Sequence, residues 1–343
     1  MQPRERFDYS AIIDREPLKL PGSARVVVST VVNVEHWDIA EPMPRQVMTT
    51  PAGVKVLPDV PNWAWHEYGM RVGIWRLMAA LRRFDIKATA SINASVCLEY
   101  PRIAKAILDA GWEFMGHGFK QKAMPALANE RESNREAIAT LKKFTGKSPR
   151  GWLGSGLAET TETLDILAEE GVEYICDWVM DDQPCEIKTR TKPMIMVPYS
   201  VELNDIAIMI LQHHESRVLY ERTMEQFERL YEDSSESARI MALCVHPYQR
   251  GAAPHQALRT DLRGPREAAR RAVLDERADS GLVQTSAVSR ARPVTAFTAG
   301  SRQSQRRIFA RAQDVARPFR RGHPARLARE SAHRAVLVAQ VRP

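Results

Sequence analysis

Residues 111–121 read GWEFMGHGFKQ, an apolar segment that ends in a polar cluster. Trp112, Phe114 and Met115 predict a short buried strand, and this strand ends on His117, which has a glycine on each side. Glycine lets another group approach the backbone closely. Because the carboxyl ends of strands carry the chemistry in barrel and doubly wound α/β folds, His117 is a candidate site residue. A half-buried histidine in an ordinary turn explains the same pattern.

Strand-like and helix-like segments alternate on both sides of this strand. Residues 24–34, ARVVVSTVVNV, form a β-branched run typical of a fully buried strand. Further apolar runs predict strands at 86–92, 150–156, 174–177, 194–198, 206–212 and 239–245. Apolar residues at helical spacing predict helices at 72–84, 101–110, 129–145, 160–170 and 218–231. This alternation predicts a parallel sheet or an α/β barrel.

Four of the predicted strands end at or just before a titratable side chain. These side chains are Glu35, His117, Asp177 and His246. In a barrel the carboxyl ends of the strands lie on one rim, so we expect the four side chains to converge there. Their convergence indicates a catalytic site more strongly than any one of them, since a single polar residue after a strand is equally typical of a solvated turn.

A long proline-rich loop, residues 39–61, precedes an aromatic cluster. Loops of this length in a compact domain are usually functional or mobile. The cluster contains Trp63, Trp65, His66 and Tyr68. Two interpretations fit it equally: the aromatic residues pack beneath the loop, or Trp65 stacks on a planar substrate.

The positive charge of the chain is concentrated towards its C-terminal end. The 343 residues carry a net charge of +7, but the part before residue 251 is near neutral or acidic. A basic tail is not a basic folded face, so the sequence predicts no nucleic-acid partner. No apolar run approaches the roughly 20 residues of a membrane span, and no signal-peptide pattern precedes residue 24. Four scattered cysteines without a CxxC pair are typical of free thiols, so we expect a cytoplasmic protein.

Six segments, in order along residues 25–250, resemble the polysaccharide deacetylase superfamily, the NodB-homology group. They are VVNVEHWD, VPNWAWHEYGMRVG, EFMGHGFKQ, PRGWLGSGLAET, YICDWVMDDQP and VHPY. Within the superfamily the chain is most similar to the intracellular branch that includes the metal-independent allantoinase and cyclic-imide hydrolases. The resemblance implies an α/β fold, a distorted (β/α)7-type barrel that is here incomplete at its C-terminus. It also implies hydrolysis of carbon–nitrogen bonds other than peptide bonds.

The resemblance also implies roles for individual residues. In the deacetylases of the superfamily one Asp acts as the base, and a second Asp with two histidines holds a metal. The base position falls on Asn33, and the metal carboxylate falls on Glu35. The two metal histidines fall on His117 and Gln121, and the general acid falls on His246.

The chain departs from that pattern at several of these positions. Asn33 cannot take up a proton at neutral pH, and the amide of Gln121 is a poor zinc ligand beside an imidazole. Leu153 stands where the third motif has an arginine. A catalytic zinc uses about three protein ligands, whereas only Glu35 and His117 remain. The sequence therefore predicts no firm cofactor, with zinc on these two residues as the alternative.

The remaining groups suit amide hydrolysis. Glu35 is the predicted base on water, and His117 or His246 donates a proton to the leaving nitrogen. Asn33 and Gln121 are predicted to orient a carbonyl or ureide. The predicted substrate-binding set is completed by Trp65, Trp152 and Asp177.

Three functions follow from this set, and they stay open at this stage. The first is hydrolysis of a small linear or cyclic amide, imide or ureide. The second is deacetylation of a polysaccharide or chitooligosaccharide. The third is an inactive barrel that only binds a ligand. The predicted partner is a small molecule, and homo-oligomerisation stays open.

The sequence divides into a polar lead-in (1–23), the barrel (24–250) and a tail (251–343) rich in Arg, Ala and Pro. The tail lacks apolar periodicity, and this composition is typical of GC-rich DNA read out of frame. Codons can be chosen from Gln249 onward whose shifted frame encodes ISGAPHRIK, followed by QIFEALARRPGVLFWTNGRILDWFR. That text contains an aromatic strand and an amphipathic helix, as the superfamily has at this point. We therefore predict a frameshift near residues 248–250 and a disordered tail; a genuine basic tail that binds RNA or membrane is the alternative.

Overall fold

The computed structural model describes residues 1–21, 24–249 and 336–337. Its strands are β1 Val26–Val34, β2 Thr89–Ile92, β3 Glu113–Gly116, β4 Gly151–Trp152, β5 Tyr174–Ile175, β6 Cys185–Ile187, β7 Met194–Met196, β8 Arg239–Val245 and β9 Val336–Leu337. Its α-helices are α1 Val60–Tyr68, α2 Ile74–Arg83, α3 Val96–Glu99, α4 Pro101–Asp109, α5 Glu130–Thr145, α6 Thr163–Glu169 and α7 Ser216–Asp233. Two π-helical turns are Gly69–Gly73 and Ile206–Leu211. Short 3-10 turns lie at Pro3–Arg6, Ile12–Asp14, Pro51–Gly53, Met124–Ala126 and Ser155–Leu157.

The strands form one sheet in the order β6-β7-β5-β4-β3-β2-β1-β8. Neighbouring strands are parallel, except that β6 runs antiparallel to β7. The two residues of β9 pair with the first residues of β1. The fold is a mixed α/β half-barrel of eight strands, which confirms the predicted barrel-type architecture.

Side chains along each strand point alternately to the inside of the half-barrel and to the helices. Val31 of β1 and Met115 of β3 pack together in the interior cluster. Val32 packs in the main core, which also contains apolar residues of the helices. Asn33 and Glu35 continue the interior face of β1, because they follow Val31 at intervals of two. The two-residue period of the strand therefore places the side chains of Asn33 and Glu35 on the same interior face.

Helix α5 shows why the predicted segment forms a helix and where it stops. The side chain of Asn129 accepts a hydrogen bond from the backbone N–H of Glu132 and caps the first turn. Gly146 ends the helix with φ +80°, a left-handed conformation that glycine adopts easily. Leu141, which is fully buried, lies on the face that packs against the sheet.

The outer edge of β8 is met by two connecting segments. The backbone N–H of Ile240 donates to the Asp182 carbonyl, and that of Cys244 donates to the Leu203 carbonyl, each at 2.9 Å. Irregular backbone thus satisfies part of the edge of β8, and it brings the segment after β7 beside the carboxyl end of β8. This approach places Asp205 next to His246.

The predicted strand at residues 206–212 is wrong. The segment forms the π-helical turn Ile206–Leu211, in which Ile206 and Ile208 are buried. Periodicity alone does not separate a short buried strand from a helical turn. Since the backbone of Leu203 already pairs with β8, the apolar residues that follow are buried by turning back against the core.

The lead-in is anchored to the domain. The guanidinium of Arg6, which is 1% exposed, forms a buried ion pair with Asp165 at 2.8 Å. Its carbonyl accepts a hydrogen bond from the N–H of Lys188. The prediction of a frameshifted and disordered tail lies outside the described residues, apart from Val336–Leu337. Among the described helices none is both long and apolar enough to cross a membrane.

Candidate active site

Glu35 lies at the centre of the rim, directly after β1, and is 1% exposed. One carboxylate oxygen, Oε1, accepts a hydrogen bond from Gln121 Nε2 at 2.9 Å. The other, Oε2, accepts from Trp37 Nε1 at 2.7 Å and from the Tyr248 hydroxyl at 2.9 Å. Three neutral donors therefore fix the orientation of this carboxylate.

Two imidazoles face Glu35 Oε1. His246 Nε2 lies 3.6 Å from it, and His117 Nε2 lies 3.9 Å from it. Burial by itself raises the pKa of the Glu35 carboxyl, but the two imidazoles outweigh burial and hold this pKa well below its usual range. Glu35 is therefore ionised at neutral pH.

Asp205 holds His246 from the opposite side. Its Oδ1 lies 2.6 Å from His246 Nδ1, and its Oδ2 accepts from the backbone N–H of His246 at 2.7 Å. Burial lowers the pKa of His246, but the carboxylates of Asp205 and Glu35 reverse this effect and raise the pKa to about 9. His246 is thus an imidazolium at neutral pH, with a proton on Nε2 beside Glu35.

His117 is oriented by the backbone of Leu153. Its Nδ1 lies 2.5 Å from the Leu153 carbonyl, which can only accept, so Nδ1 carries a proton. Its Nε2 faces Glu35. Leu153, the residue at the position of the third-motif arginine, contributes this carbonyl through its backbone.

Gln121 and Ser155 close one side of the site. The Gln121 amide donates to Glu35 through Nε2, while its Oε1 accepts from the Ser155 hydroxyl at 3.1 Å. Because Glu35 is ionised, the N–H side of the amide must face it. The Ser155 hydroxyl oxygen also lies 3.0 Å from the His117 carbonyl oxygen.

Asn33 lies on the interior face of β1, two residues before Glu35, and is 2% exposed. Its amide donates to the Tyr199 hydroxyl at 3.3 Å. Asn204 donates to the same hydroxyl at 3.3 Å. Asn33 thus belongs to a polar layer of the interior, on the same face as Glu35.

Asp177 and Glu159 form a pair of carboxyl groups on the rim. Asp177 accepts a hydrogen bond from the N–H of Gly154 at 2.7 Å. Burial and the neighbouring Glu159 raise the pKa of Asp177 well above its usual range, and burial raises the pKa of Glu159 to about 7. The pair holds a proton near neutral pH. The hydrogen bond from Gly154 to Asp177 also fixes the loop that follows Leu153, the residue whose carbonyl accepts from His117.

Two predicted substrate-binding tryptophans lie within packed clusters. Trp152 is fully buried in the main core, where an added Cβ on Gly116 would lie 2.3 Å from its ring. Trp65 is 6% exposed and packs edge-on against Trp37, with ring centroids 5.7 Å apart. It also packs against Tyr248 at 4.9 Å. The structure thus places both indoles against protein neighbours.

The long loop contacts this aromatic cluster. Met43 packs against the cluster formed by Trp37, Trp65, Ile206 and Tyr248. Asn62, which is fully buried, accepts from the backbone N–H groups of Val47 and Met48 at 2.8 and 3.0 Å and so anchors the loop. Arg45, just before this anchor, adds a positive charge that helps to lower the pKa of Glu35.

The sequence did not assign a role in the site to five residues that contact or support Glu35 and His246, although His66 belongs to the aromatic cluster noted above. These are Trp37, His66, Asp205, Tyr248 and Arg45. Trp37 and Tyr248 each lie two residues from a predicted catalytic residue, and that proximity was the available signal. The aromatic cluster was the available signal for His66, whereas Asp205 reaches the site only through folding and no local pattern marks it.

The chain is similar to known proteins in sequence and in structure. The sequence profile of the polysaccharide deacetylase family matches residues 66–175. Residues 66–175 thus carry the match to the polysaccharide deacetylase family. Its structure is similar to that of PuuE allantoinase, with a TM-score of 0.64 and 25% identity over 80% of this chain and 93% of that one. It is also similar to a protein from Pseudomonas aeruginosa PAO1 described as a polysaccharide deacetylase, with a TM-score of 0.63 and 25% identity over 74% of this chain and 89% of that one.

The family match and these similarities confirm the resemblance to the polysaccharide deacetylase superfamily that the six sequence segments predicted. A curated Schizosaccharomyces pombe protein assigned to the polysaccharide deacetylases is 24% identical over 66% of this chain and 79% of its own length. Members of the superfamily hydrolyse carbon–nitrogen bonds, so the chain is a hydrolase of this class.

The donor set does not fit the metal that deacetylases of the superfamily typically use. Among the described residues no three His, Cys, Asp or Glu side chains are arranged to hold a metal ion. At the position of the second metal histidine, Gln121 presents an N–H to Glu35, and its oxygen is engaged by Ser155. An N–H cannot bind a cation, and Glu35 already accepts three hydrogen bonds. Glu35 and His117 therefore lack a third ligand.

Proposed function

We propose that the protein hydrolyses a small linear or cyclic amide, imide or ureide. The observation that supports this proposal is the pairing of an ionised Glu35 with a protonated His246, whose reactive atoms lie 3.6 Å apart. Neighbouring groups move the two pKa values in opposite directions, as is typical of a general base and a general acid in one site.

The proposed reaction uses one water molecule. Glu35 takes a proton from the water, whose oxygen attacks the carbonyl carbon to form a tetrahedral intermediate. His246 transfers its Nε2 proton to the leaving nitrogen, and the carbon–nitrogen bond breaks. The products are an amine, amide or urea group and a carboxylic acid, which are the two ends of one molecule when the substrate is cyclic. The proton on Glu35 then returns to solvent or to His246.

The other residues of the site act on the substrate carbonyl or on the protein. The amide N–H groups of Gln121 and Asn33 supply donors for the carbonyl oxygen, on which negative charge develops. His117 Nε2, which lies 3.9 Å from Glu35 Oε1, is placed to bind the attacking water together with Glu35. Since Glu35 is 1% exposed, substrate entry requires movement of a covering segment, and the loop that carries Arg45 contacts the site.

Deacetylation of an N-acetylated sugar is the second candidate. The family profile and the S. pombe relative favour it, and the bond broken is again an amide. The donor set at Glu35 favours the first candidate, because deacetylases of the superfamily typically use a metal. The four free cysteines support the proposed cytoplasmic location, which suits a small soluble substrate.

A substrate panel tests the proposal. Allantoin, hydantoin, succinimide and chitooligosaccharides are incubated with the purified protein, with and without a zinc chelator. We expect ring opening of a cyclic substrate that the chelator does not inhibit and that Glu35→Gln abolishes. Acetate release that depends on zinc would establish the deacetylase instead. Binding of a cyclic substrate or of a chitooligosaccharide without any turnover, with or without the chelator, would establish a ligand-binding barrel.

A further inference from the structure

We propose that His66 is a positioning residue that fixes Glu35 in its catalytic orientation. His66 lies in α1 and is fully buried. Its Nε2 lies 2.8 Å from the backbone carbonyl of Glu35. Because a carbonyl only accepts, Nε2 carries the proton and the ring donates. Burial lowers the pKa of His66, so the ring is neutral.

His66 also supports the donor that binds the Glu35 side chain. Its ring stacks on Trp37, with centroids 4.8 Å apart and planes inclined by 16°. Trp37 donates in turn to Glu35 Oε2 at 2.7 Å. One imidazole thereby contacts the backbone of Glu35 directly and the carboxylate through Trp37. A change at His66 is expected to move both ends of Glu35.

The segment that carries His66 also contacts the turn directly after His246, the proposed general acid. Helix α1 continues into the π-helical turn Gly69–Gly73, and such turns are frequent at functional sites. An added Cβ on Gly69 would lie 2.5 Å from the backbone nitrogen of Tyr248, and one on Gly73 would lie 1.9 Å from the Pro247 carbonyl. The two glycines thus let the turn after His246 approach the helix. One continuous segment sets the relative positions of Glu35 and His246.

The second nitrogen of His66 indicates that the ring is retained for this role. Nδ1 is buried and has no hydrogen-bond partner among the described residues. It lies 4.0 Å from Glu67 Oε1, beyond hydrogen-bond distance. An unsatisfied buried polar atom opposes folding. If packing were the only role of residue 66, an apolar ring would fill the same space without the free-energy cost of an unsatisfied Nδ1.

Two substitutions separate the two contacts. His66→Gln keeps an N–H that can reach the Glu35 carbonyl but removes the stacked ring. His66→Phe keeps the ring and removes the donor. His214→Gln, at an exposed histidine after the π-helical turn Ile206–Leu211, is the matched control.

The first measurement does not depend on any activity. The indole N–H resonance of Trp37 reports its hydrogen bond to Glu35, and it is assigned with Trp37→Phe. We expect this resonance to move in both His66 variants and to be unchanged in the control, because His66→Gln removes the ring that stacks on Trp37 and His66→Phe releases the backbone of Glu35. An unchanged Trp37 resonance in both folded His66 variants would overturn the proposal.

The second measurement is kinetic and rests on the proposed function. We expect kcat to fall about tenfold to hundredfold in His66→Phe, with KM nearly unchanged, because a small misplacement of the base affects the transition state most. His66→Gln should recover part of this loss. A rise in KM alone would assign His66 to substrate binding instead. An inactive wild-type protein would refute the proposed function without affecting the indole result.

A third measurement needs no variant, should both substitutions prevent folding. The nitrogen chemical shifts of His66 in the wild-type protein identify its tautomer. We expect a proton on Nε2 and none on Nδ1 from pH 6 to pH 8. A proton on Nδ1 would remove the bond to Glu35 and overturn the proposal.

Discussion

His246 Nε2 lies 3.6 Å from Glu35 Oε1, although 211 positions separate the two residues in the sequence. The contact joins the ends of β1 and β8, which are neighbours in the sheet. Each residue favours the charged form of the other, so a base and an acid coexist at neutral pH.

The activity of the protein should decline as the pH rises through about 9. At that pH His246, whose pKa is raised to about 9, loses the proton that it donates. On the acid side, activity should persist below the usual range of a carboxyl group, because the pKa of Glu35 is held well below that range. The pH profile of kcat/KM measures both limits. His246→Asn should remove the alkaline limit together with most of the activity, and an unchanged limit in that variant would contradict the assignment.

The same shift predicts how stability depends on pH. The folded state raises the pKa of His246 from its ordinary value of 6.5 to about 9. Its contribution to the free energy of unfolding is therefore complete below pH 6.5 and is lost as the pH rises through about 9. Chemical denaturation from pH 6 to pH 10 should show a loss of stability that is smaller in His246→Asn.

Glu35→Gln should reduce turnover by about 10²- to 10⁴-fold, the range that general bases contribute. The amide keeps the shape of the side chain but cannot take up a proton. Steady-state turnover of the substrate found in the panel is the measurement. Glu136→Gln, at an exposed position on α5, is the control. Retention of more than a tenth of the wild-type kcat would rule out Glu35 as the base.

Gly73→Ala should destabilise the protein by about 1–3 kcal/mol, as overpacking of a close contact does. Gly73 has φ −63°, which any residue adopts, so the effect is steric and not conformational. The added Cβ would lie 1.9 Å from the Pro247 carbonyl and displace the turn that carries His246. Thermal unfolding and kcat are measured beside Arg76→Ala, an exposed position one turn later. A Tm and a kcat equal to those of the wild type would show that the close contact between Gly73 and Pro247 is dispensable.

Glu113→Gln should stabilise the protein at alkaline pH. Glu113 lies on β3, and neither of its carboxyl oxygens has a hydrogen-bond partner among the described residues. Burial raises its pKa from 4.5 to about 8. A raised pKa means that stability falls as the pH rises from 4.5 through about 8, where the buried carboxyl ionises. The Tm of the variant should exceed that of the wild type by a margin that grows from pH 7 to pH 9; a constant margin would contradict the raised pKa.

The proposed frameshift predicts the outcome of replacing the tail. A chain in which the shifted-frame segment replaces residues 250–343 should gain Tm and soluble yield over the original chain. The aromatic strand and amphipathic helix of that segment would add buried apolar surface. A chain ended after residue 250 is the control. Equal or lower Tm in the replaced chain would favour a genuine basic tail.

The sequence was sufficient for the fold class and for the expectation that Glu35, His117 and His246 converge at the strand ends. The β-branched run of β1 and the GWEFMG strand both predicted strands, and the period of two put Glu35 and His117 on the rim. The run at 206–212 was misjudged as a strand because a short apolar segment lacks the length that separates strand from helix. Trp65 and Trp152 illustrate a second limit, since an aromatic residue near a site has the same sequence signal whether it packs or binds.

By itself the sequence determined the strand–helix alternation, the superfamily and the set of residues at the strand ends, because these depend on local periodicity and on motifs. Only the tertiary structure decided that Tyr248 and Trp37 donate to Glu35, that Asp205 stabilises the protonated form of His246, and that Gln121 presents a nitrogen to the carboxylate. The Tyr248–Glu35 hydrogen bond spans 213 positions. Such contacts form when parallel strands align their carboxyl ends, and no pattern within one segment encodes which side chains then meet.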